Sequence, residues 1–292
     1  MMKIAGKNLN KEIIFIADIG ANHDGDLQRA KDLIKLCKDS GADVAKFQHF
    51  KAETIVSKQH FDRENDNWQT HQSTWKKSVF EVYNEASVNS DWNQKLKECC
   101  DQNEIEFMTT PYSPQIVDEI DPYVSAYKVG SGDITWHANI KCMALTKKPL
   151  LLATGASDLN EVVAAVQVIE SIHPDYVIMQ CNTNYTGSKE NFRYINLSVL
   201  DTYAKTFPGK TLGLSDHTPG HETVLGAIAK GARVIEKHFT DDTTRTGPDH
   251  KFAMDPKTWK EMVVSSELVF SALGDGIKRV EDNEKDTVIV QR

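Results

Sequence analysis

The chain lacks the features of a secreted, membrane-spanning or disulfide-stabilised protein. It has five cysteines in 292 residues, an odd number without paired zinc-type spacing, which indicates reduced thiols in a cytosolic protein. No segment approaches the roughly 20 apolar residues of a membrane span, and the amino-terminal residues contain no long apolar stretch. There is no repeat, low-complexity tract or proline-rich linker. A soluble, cytoplasmic protein is therefore expected.

The chain also lacks excess positive charge. Its 34 lysines and arginines face 42 aspartates and glutamates, for a net charge of -8. This balance argues against a nucleic-acid binder held by phosphate contacts, although a local basic pocket could still hold a small anion. We therefore expect partners that are small molecules, with no nucleic acid and no membrane, and we look for function in a pocket.

What the sequence does contain is a regular alternation of short apolar runs and longer helical patterns, typical of β-α units around a parallel sheet. Eight units can be counted, and their strands are predicted at residues 13–20, 44–50, 105–111, 126–131, 149–155, 176–182, 211–217 and 233–239. Helices are predicted at residues 27–40, 92–103, 114–120, 138–147, 159–172, 197–206, 221–230 and 256–273. The expected fold class is α/β, a single-domain (β/α)8 TIM barrel over residues 1–275.

Two segments fall outside the regular pattern. Residues 51–89 form a long polar insertion with a cationic, aromatic patch at residues 75–80, and a connection of this length is usually a functional lid or an ordered insertion. Residues 276–292 are charged and are predicted to be a carboxyl-terminal arm or linker, with an extended arm at 286–292.

Polar side chains follow nearly every predicted strand, where the active sites of such barrels are built. The residues at or near these strand ends are Asp18, Lys46, Gln48, Thr110, Lys128, Ser131, Asp133, Asn182, Thr183, Tyr185, Ser215, His217 and His238. His217 and His238 end two consecutive strands, so their imidazoles could converge on one metal ion. The alternative is two separately satisfied histidines near a surface.

Two lysines stand inside otherwise apolar strands. Lys46 and Lys128 are costly to bury unless anions pair with them, so they suggest a doubly anionic ligand with hydroxyl side chains around it. In the alternative interpretation, each lysine pairs with a structural carboxylate such as Asp43 or Asp133.

Eight sequence strings resemble, in order and spacing, those of the sialic acid (N-acetylneuraminate) synthase family. They are FIADIGANHDG at 15–25, AKFQ at 45–48, TTPY at 109–112, YKVGSGD at 127–133, ATG at 153–155, GLSDHT at 213–218, IEKHFT at 235–240 and GPDHK at 247–251. The match covers nearly the whole chain. The resemblance implies a homodimeric transferase that condenses phosphoenolpyruvate with an N-acyl amino sugar, typically N-acetylmannosamine, to give a sialic or related nonulosonic acid and phosphate.

The resemblance also implies residue roles. His217 and His238 would bind a divalent ion (Mn²⁺, Mg²⁺ or Co²⁺), and Asp216 would orient a neighbouring ligand. The residues implied to bind phosphoenolpyruvate are Lys46, Thr110, Lys128, Ser131, Thr183 and Ser215. The residues implied to bind the sugar are Asp18, Gln48, Asp133, Tyr185 and Asp249. The implied catalytic residues are Asp18, Lys46, Lys128 and Asp133.

The chain departs from the family pattern in three ways. The family usually has glutamate at the positions of Asp18 and Asp133, so the acceptor need not be N-acetylmannosamine. A serine common before the Thr-Gly pair is Ala153 here, which would remove one hydroxyl from the phosphate site. Relatives continue into a small domain resembling type III antifreeze protein, whereas this sequence ends at Arg292, either as a truncation or as a short natural form.

Three other functions remain open. A related synthase could make a shorter 3-deoxy-ulosonic acid on the same barrel. A lyase could form a Schiff base through Lys46 or Lys128, although phosphate-paired lysines stay charged. A non-catalytic sugar-phosphate binder would result if the aspartate substitutions and the missing domain had abolished turnover.

Overall fold

A closed barrel of eight parallel strands forms the centre of the computed structural model, which describes residues 2–55 and 77–291. Two short strands, β1 (Lys3–Ile4) and β2 (Lys7–Asn8), precede the barrel. The barrel strands are β3 (Ile14–Asp18), β4 (Val44–His49), β5 (Glu106–Pro111), β6 (Tyr127–Val129), β7 (Leu150–Ala153), β8 (Tyr176–Cys181), β9 (Thr211–Asp216) and β10 (Ala232–His238). β3 to β10 follow each other around the barrel in chain order, and β10 pairs with β3 to close it. All eight predicted barrel strands are confirmed, with each end within two residues.

Helices surround the barrel. The α-helices are Leu27–Asp39, Ala52–Ile55, Val79–Ala86, Asn93–Gln102, Pro114–Ile120, His137–Leu145, Leu159–Glu170, Val199–Thr206, Glu222–Ala229, Pro256–Ala272 and Lys285–Gln291. Short 3-10 helices lie at Ser90–Trp92, Asp121–Tyr123, Ser131–Asp133, Lys189–Tyr194, His250–Phe252 and Asp282–Glu284. The eight predicted helices are confirmed, and each follows or precedes a barrel strand as a βα repeat requires.

Local sequence signals explain where these helices begin and end. Asp26 accepts hydrogen bonds from two backbone amides of the first helical turn, and Asp158 forms a capping box with Glu161. At the other end, Gly41 and Gly231 adopt positive φ angles of 91° and 97°, which glycine tolerates without strain. The helices therefore begin and end at residues that the sequence marks.

Successive side chains along each strand point alternately out of the barrel and into it, so the apolar residues form two separate clusters. Outward residues such as Phe15 and Ala17 pack under the helices in the larger apolar cluster. Inward residues near the strand starts, such as Ile16 and Val44, form a second apolar cluster with Ile4 of the β1–β2 hairpin. The interior is thus filled by apolar side chains at its amino end. At the carboxyl end of the barrel, polar side chains point into the interior.

The two irregular segments differ from expectation. The insertion contains helices Ala52–Ile55 and Val79–Ala86, while residues 56–76, with Trp75 and Lys76 of the cationic patch, lie outside the described residues. The predicted extended arm at 286–292 is wrong, because Lys285–Gln291 is helical. Among the described residues, no helix combines the length and the apolar character needed to cross a membrane.

Candidate active site at the carboxyl end of the barrel

Three side chains that point into the barrel, Lys128, Ser215 and Lys46, meet around the carboxylate of Glu236. Its Oε1 accepts hydrogen bonds from Lys128 Nζ at 2.5 Å and Ser215 Oγ at 2.9 Å. Its Oε2 lies 3.9 Å from Lys46 Nζ and has no hydrogen-bond partner among the described residues. Burial would raise the pKa of Glu236, but Lys128 and Lys46 lower it to about 2, so the carboxylate is ionised at neutral pH. We call these four residues the Glu236 cluster.

Asp18 extends this cluster on the β3 side. Its Oδ2 accepts hydrogen bonds from Lys46 Nζ at 2.7 Å and Gln48 Nε2 at 3.0 Å, and its Oδ1 accepts one from the Gly20 amide at 3.0 Å. Asp18 is buried and is not among the residues that line the cavity described below. Its carboxylate therefore holds Lys46 and the first turn of the loop after β3.

Both inward lysines have carboxylate partners. Lys46 pairs with Asp18 and Lys128 with Glu236, so the alternative of structural pairing is correct in kind, although these are not the two carboxylates considered from the sequence. Burial acts to lower the pKa of Lys46, but the neighbouring carboxylates outweigh it and raise the pKa. These carboxylates compensate the buried charges of the lysines, so burial alone no longer indicates an anionic ligand, and the binding of phosphoenolpyruvate by the two lysines stays a prediction.

The two strand-end histidines do converge. The ring centroids of His217 and His238 are 5.5 Å apart. His217 Nδ1 donates to the Asn182 carbonyl at 2.8 Å, which leaves Nε2 unprotonated in the neutral ring. His238 Nδ1 is buried without a hydrogen-bond partner among the described residues, and the nearest carboxylates are Asp249 Oδ2 at 3.8 Å and, from Nε2, Asp18 Oδ2 at 3.6 Å.

This pair has the chemistry of metal ligands. Burial and the neighbouring His238 lower the pKa of His217 to about 3, so its ring is in the neutral, ligating form. A buried nitrogen with no partner is what an absent ion would leave. In the described part of the chain, no group of three or more His, Cys, Asp or Glu side chains has metal-ligand geometry, so two imidazoles are the donors available.

The hydroxyls predicted around phosphoenolpyruvate lie together beside the Glu236 cluster. Ser131 Oγ accepts a hydrogen bond from the Gly155 amide at 2.9 Å. A Cβ at Gly155 would lie 2.5 Å from Thr183 Cγ2 and 3.1 Å from Cys181 Sγ, so these strand ends are closely packed and only glycine fits. Thr110 is buried on β5, where its methyl lies 3.7 Å from the Cβ position of Gly130.

A cavity of about 350 Å³ lies at the carboxyl end of the barrel. It is lined by Ala21, Gln48, Phe50, Thr54, Ile55, Tyr83, Ala86, Tyr112, Gly132, Asp133, Trp136, Tyr185, His238, Pro248 and Asp249. Four of the five predicted sugar-binding residues are therefore in one cavity with His238, and Asp18 is the exception. Glu236 was not among the site residues predicted from the sequence. Neither was the part of the cavity wall that the insertion provides, which includes Ile55, Tyr83 and Ala86.

Asp249 reaches the cavity from the loop after β10. Its Oδ2 accepts a hydrogen bond from the Ala21 amide at 2.9 Å. Gly20 makes this approach possible, because a Cβ there would lie 2.6 Å from Asp249 Oδ2 and 3.3 Å from the His238 ring, and its φ is 50°. The loops after β3 and β10 are thus joined directly over the histidine.

Asp133 is the second carboxylate of the cavity wall. It is half-buried, and no salt bridge or side-chain hydrogen bond to its carboxylate is found within the described ranges. Burial raises the pKa of this carboxyl to about 6. A titratable acid with a raised pKa that faces a polar cavity is typical of a substrate-binding site.

Together the barrel, the paired lysines, the two imidazoles and the adjoining cavity define a TIM-barrel enzyme that handles a small polar substrate at its carboxyl end. Residues 33–278 match the family model described as the NeuB family. The chain therefore belongs to the NeuB family.

Known proteins agree with this assignment. The chain is 37% identical over 275 residues to N,N'-diacetyllegionaminic acid synthase of Legionella pneumophila, covering 92% of this chain and 75% of the relative. It is 30% identical to human N-acetylneuraminate-9-phosphate synthase, covering 91% and 72%. The crystal structure of N-acetylneuraminic acid (sialic acid) synthetase from Leptospira borgpetersenii, in complex with citrate, has a TM-score of 0.83 and 25% identity, covering 97% of this chain and 92% of the other. The relatives are acid synthases, and the (β/α)8 fold predicted from the sequence is confirmed.

Proposed function

We propose that this chain condenses phosphoenolpyruvate with the open-chain form of an N-acyl amino sugar to give a nonulosonic acid and phosphate. The observation that carries the proposal is that four predicted sugar-binding residues line one cavity with His238, and that one of them, Gln48, bonds the same Asp18 carboxylate as Lys46 of the Glu236 cluster. The names of the relatives, synthases of diacetyllegionaminic acid and of N-acetylneuraminate 9-phosphate, support the same product class.

In this proposal the two lysines anchor phosphoenolpyruvate. The ammonium groups of Lys46 and Lys128 balance the phosphate and carboxylate charges, while Thr110, Ser131, Thr183 and Ser215 donate or accept hydrogen bonds. The π electrons of the enol form the new bond from C3 to the aldehyde carbon, whose oxygen takes up a proton. Water then adds at C2, and cleavage of the bond between C2 and the phosphate oxygen leaves the ketone and phosphate.

We further propose that His217 and His238 hold a divalent ion, Mn²⁺, Mg²⁺ or Co²⁺. When bound, the ion supplies Lewis-acid polarisation of the aldehyde carbonyl. The unpartnered His238 nitrogen and the neutral His217 ring support this assignment. Two imidazole ligands without a third protein donor suit a weakly held, exchangeable ion.

The acceptor sugar would lie in the cavity against Gln48, Asp133, Tyr185 and Asp249. A proton-transfer role for Asp18 stays a prediction. Both of its oxygens are engaged by donors, which favours a role in holding Lys46 and Gln48. The raised pKa of Lys46 disfavours a Schiff-base lyase at this residue, because such a lyase needs a neutral amine. The homodimer and the cytoplasmic location also stay predictions.

The test is a phosphate-release screen with phosphoenolpyruvate and Mn²⁺ against hexosamines, N-acylhexosamines and shorter aldoses. Release is expected with an N-acylhexosamine and not with the shorter aldoses. Release with the shorter aldoses alone would identify a 3-deoxy-ulosonate synthase. No release with any sugar would indicate a non-catalytic binder, and trapping of pyruvate by borohydride would identify a lyase.

The pKa of Asp133 predicts a pH dependence for acceptor binding. If the ionised carboxylate accepts hydrogen bonds from sugar hydroxyls, the KM for the acceptor should fall as the pH rises from about 5 to about 7, because the pKa is about 6. Asp133→Asn keeps the shape but cannot ionise, so its KM should be flat over this range. The measurement is acceptor KM against pH at saturating phosphoenolpyruvate and Mn²⁺. A wild-type KM that does not change across pH 6 would contradict this role.

A further inference from the structure

A third buried ion pair lies behind the barrel wall, on the side away from the cavity. Lys237 Nζ donates to Asp216 Oδ2 at 2.5 Å, and the two side chains are 1% and 0% exposed. Strand alternation explains the location, since Lys237 lies between two inward residues of β10, Glu236 and His238. The pair therefore packs between the sheet and the helix Glu222–Ala229.

The other hydrogen bonds of this ion pair go to two neighbouring threonines, Thr218 and Thr223. Asp216 Oδ2 also accepts hydrogen bonds from the hydroxyls of Thr218 and Thr223, both at 2.8 Å. Lys237 Nζ also donates to the Thr218 carbonyl at 2.6 Å. The pair thus joins β9, β10, the loop after β9 and the following helix through one carboxylate and one ammonium.

Stability alone does not account for such a pair. Taking two charges out of water is costly, and replacing a buried pair by apolar residues of similar volume is often neutral or stabilising. Neither residue of the pair lines the cavity. Its position in the chain suggests a different role.

The residues that follow the pair are the two candidate metal ligands. Asp216 precedes His217, and Lys237 precedes His238. The Lys237–Asp216 pairing is the last in the β9–β10 ladder, so beyond it no backbone pairing sets the distance between the two strand ends. The ion pair is therefore the last cross-strand connection before the two imidazoles.

We propose that the Asp216–Lys237 ion pair sets the separation and orientation of the His217 and His238 imidazoles, so that both residues are positioning residues for the divalent ion. The inference rests on the proposed metal site. It extends to Lys237 the expectation that Asp216 orients a neighbouring ligand, because the bonds of Asp216 go to Lys237 and two threonines. Groups that hydrogen-bond a metal-ligating side chain typically change metal affinity roughly 10- to 100-fold when lost, and we expect a comparable loss here because the pair fixes the backbone that carries both imidazoles.

The test uses the double variant Asp216→Asn with Lys237→Met, which removes both charges and leaves neither one unpaired. After chelation of the protein, free Mn²⁺ is measured by electron paramagnetic resonance during a titration, and the unfolding temperature is measured in parallel. The Mn²⁺ dissociation constant is expected to rise roughly 10- to 100-fold. The matched control is Ile169→Ala, a fully buried core change on the helix Leu159–Glu170, which should lower the unfolding temperature without changing Mn²⁺ affinity.

A milder variant covers the case in which the double variant does not fold. Thr223→Val removes one hydroxyl donor to Asp216 and should weaken Mn²⁺ binding roughly 2- to 10-fold, the value of one hydrogen bond. Wild-type Mn²⁺ affinity in either folded variant overturns the inference. Loss of Mn²⁺ binding in His217→Ala would show, in that case, that the metal site itself is correct. If the wild-type chain binds no Mn²⁺, the metal site and this inference both fail.

Discussion

Replacing His217 or His238 by alanine is expected to lower phosphate release from phosphoenolpyruvate by about a thousandfold. The reason is that Lewis-acid activation of a carbonyl contributes several kcal/mol, and each 1.4 kcal/mol is a factor of ten in rate. The barrel should stay folded, because these imidazoles lie at the strand ends, beyond the apolar clusters that fill it. The measurement is the initial rate of phosphate release at saturating Mn²⁺ and substrates.

The control is His173→Ala, a histidine at the opposite, amino-terminal side of β8 that contacts only Asp175 at 3.9 Å among its ionic neighbours. It should retain the wild-type rate. Chelation of the wild-type chain should abolish phosphate release, and added Mn²⁺ should restore it, because an ion held by two imidazoles exchanges readily. Full activity after exhaustive chelation, or in either active-site histidine variant, would remove the metal from the mechanism.

The positions of the strands and of most candidate site residues could be predicted because they depend on local pattern. Apolar runs fix the barrel strands, which have three to seven residues, and the inward-pointing polar residues at their carboxyl ends face the same opening. Gln48 and Tyr185 were predicted at this opening by the same reasoning, whereas Asp249 was implied by the family resemblance, and the three share one cavity.

Side-chain pairing was harder to predict because it depends on distances across the barrel. Lys46 was considered beside Asp43, which is three residues away, yet its partner is Asp18 on the neighbouring strand, opposite it in the ladder. Glu236 could have been found. It is a carboxylate in an apolar strand, the same signal that drew attention to the lysines, and it lies two residues before His238 and so on the same face.

The cavity wall and the carboxyl-terminal helix depend on other information. Phe50, directly after β4, packs with Tyr83 and Ala86 of the insertion, and no periodicity in the sequence encodes that contact. The helix Lys285–Gln291 buries none of its residues, so it leaves no amphipathic pattern that the sequence analysis could detect.

The second large effect is expected at Lys128. In Lys128→Met, the KM for phosphoenolpyruvate should rise at least about tenfold, the value of one charge-assisted hydrogen bond, while the KM for the sugar should change little. The same change leaves Lys46 Nζ, 3.9 Å from Oε2, as the cationic neighbour of the buried Glu236 carboxylate. The free energy of unfolding should therefore fall by about 3 to 5 kcal/mol. Denaturant unfolding and initial-rate kinetics measure the two effects separately.

A double variant separates substrate binding from stability. Lys128→Met with Glu236→Gln removes both charges of the pair, so most of the stability should return. The KM for phosphoenolpyruvate should stay high, because the ammonium group that binds the anion is still absent. The matched control, Lys7→Met with Asp43→Asn, neutralises an ion pair of 2.7 Å at the amino-terminal side of the barrel and should leave both KM values unchanged. If the Lys128 double variant recovered both stability and a wild-type KM for phosphoenolpyruvate, Lys128 would serve only to neutralise Glu236, and the substrate anion would have to bind elsewhere in the site.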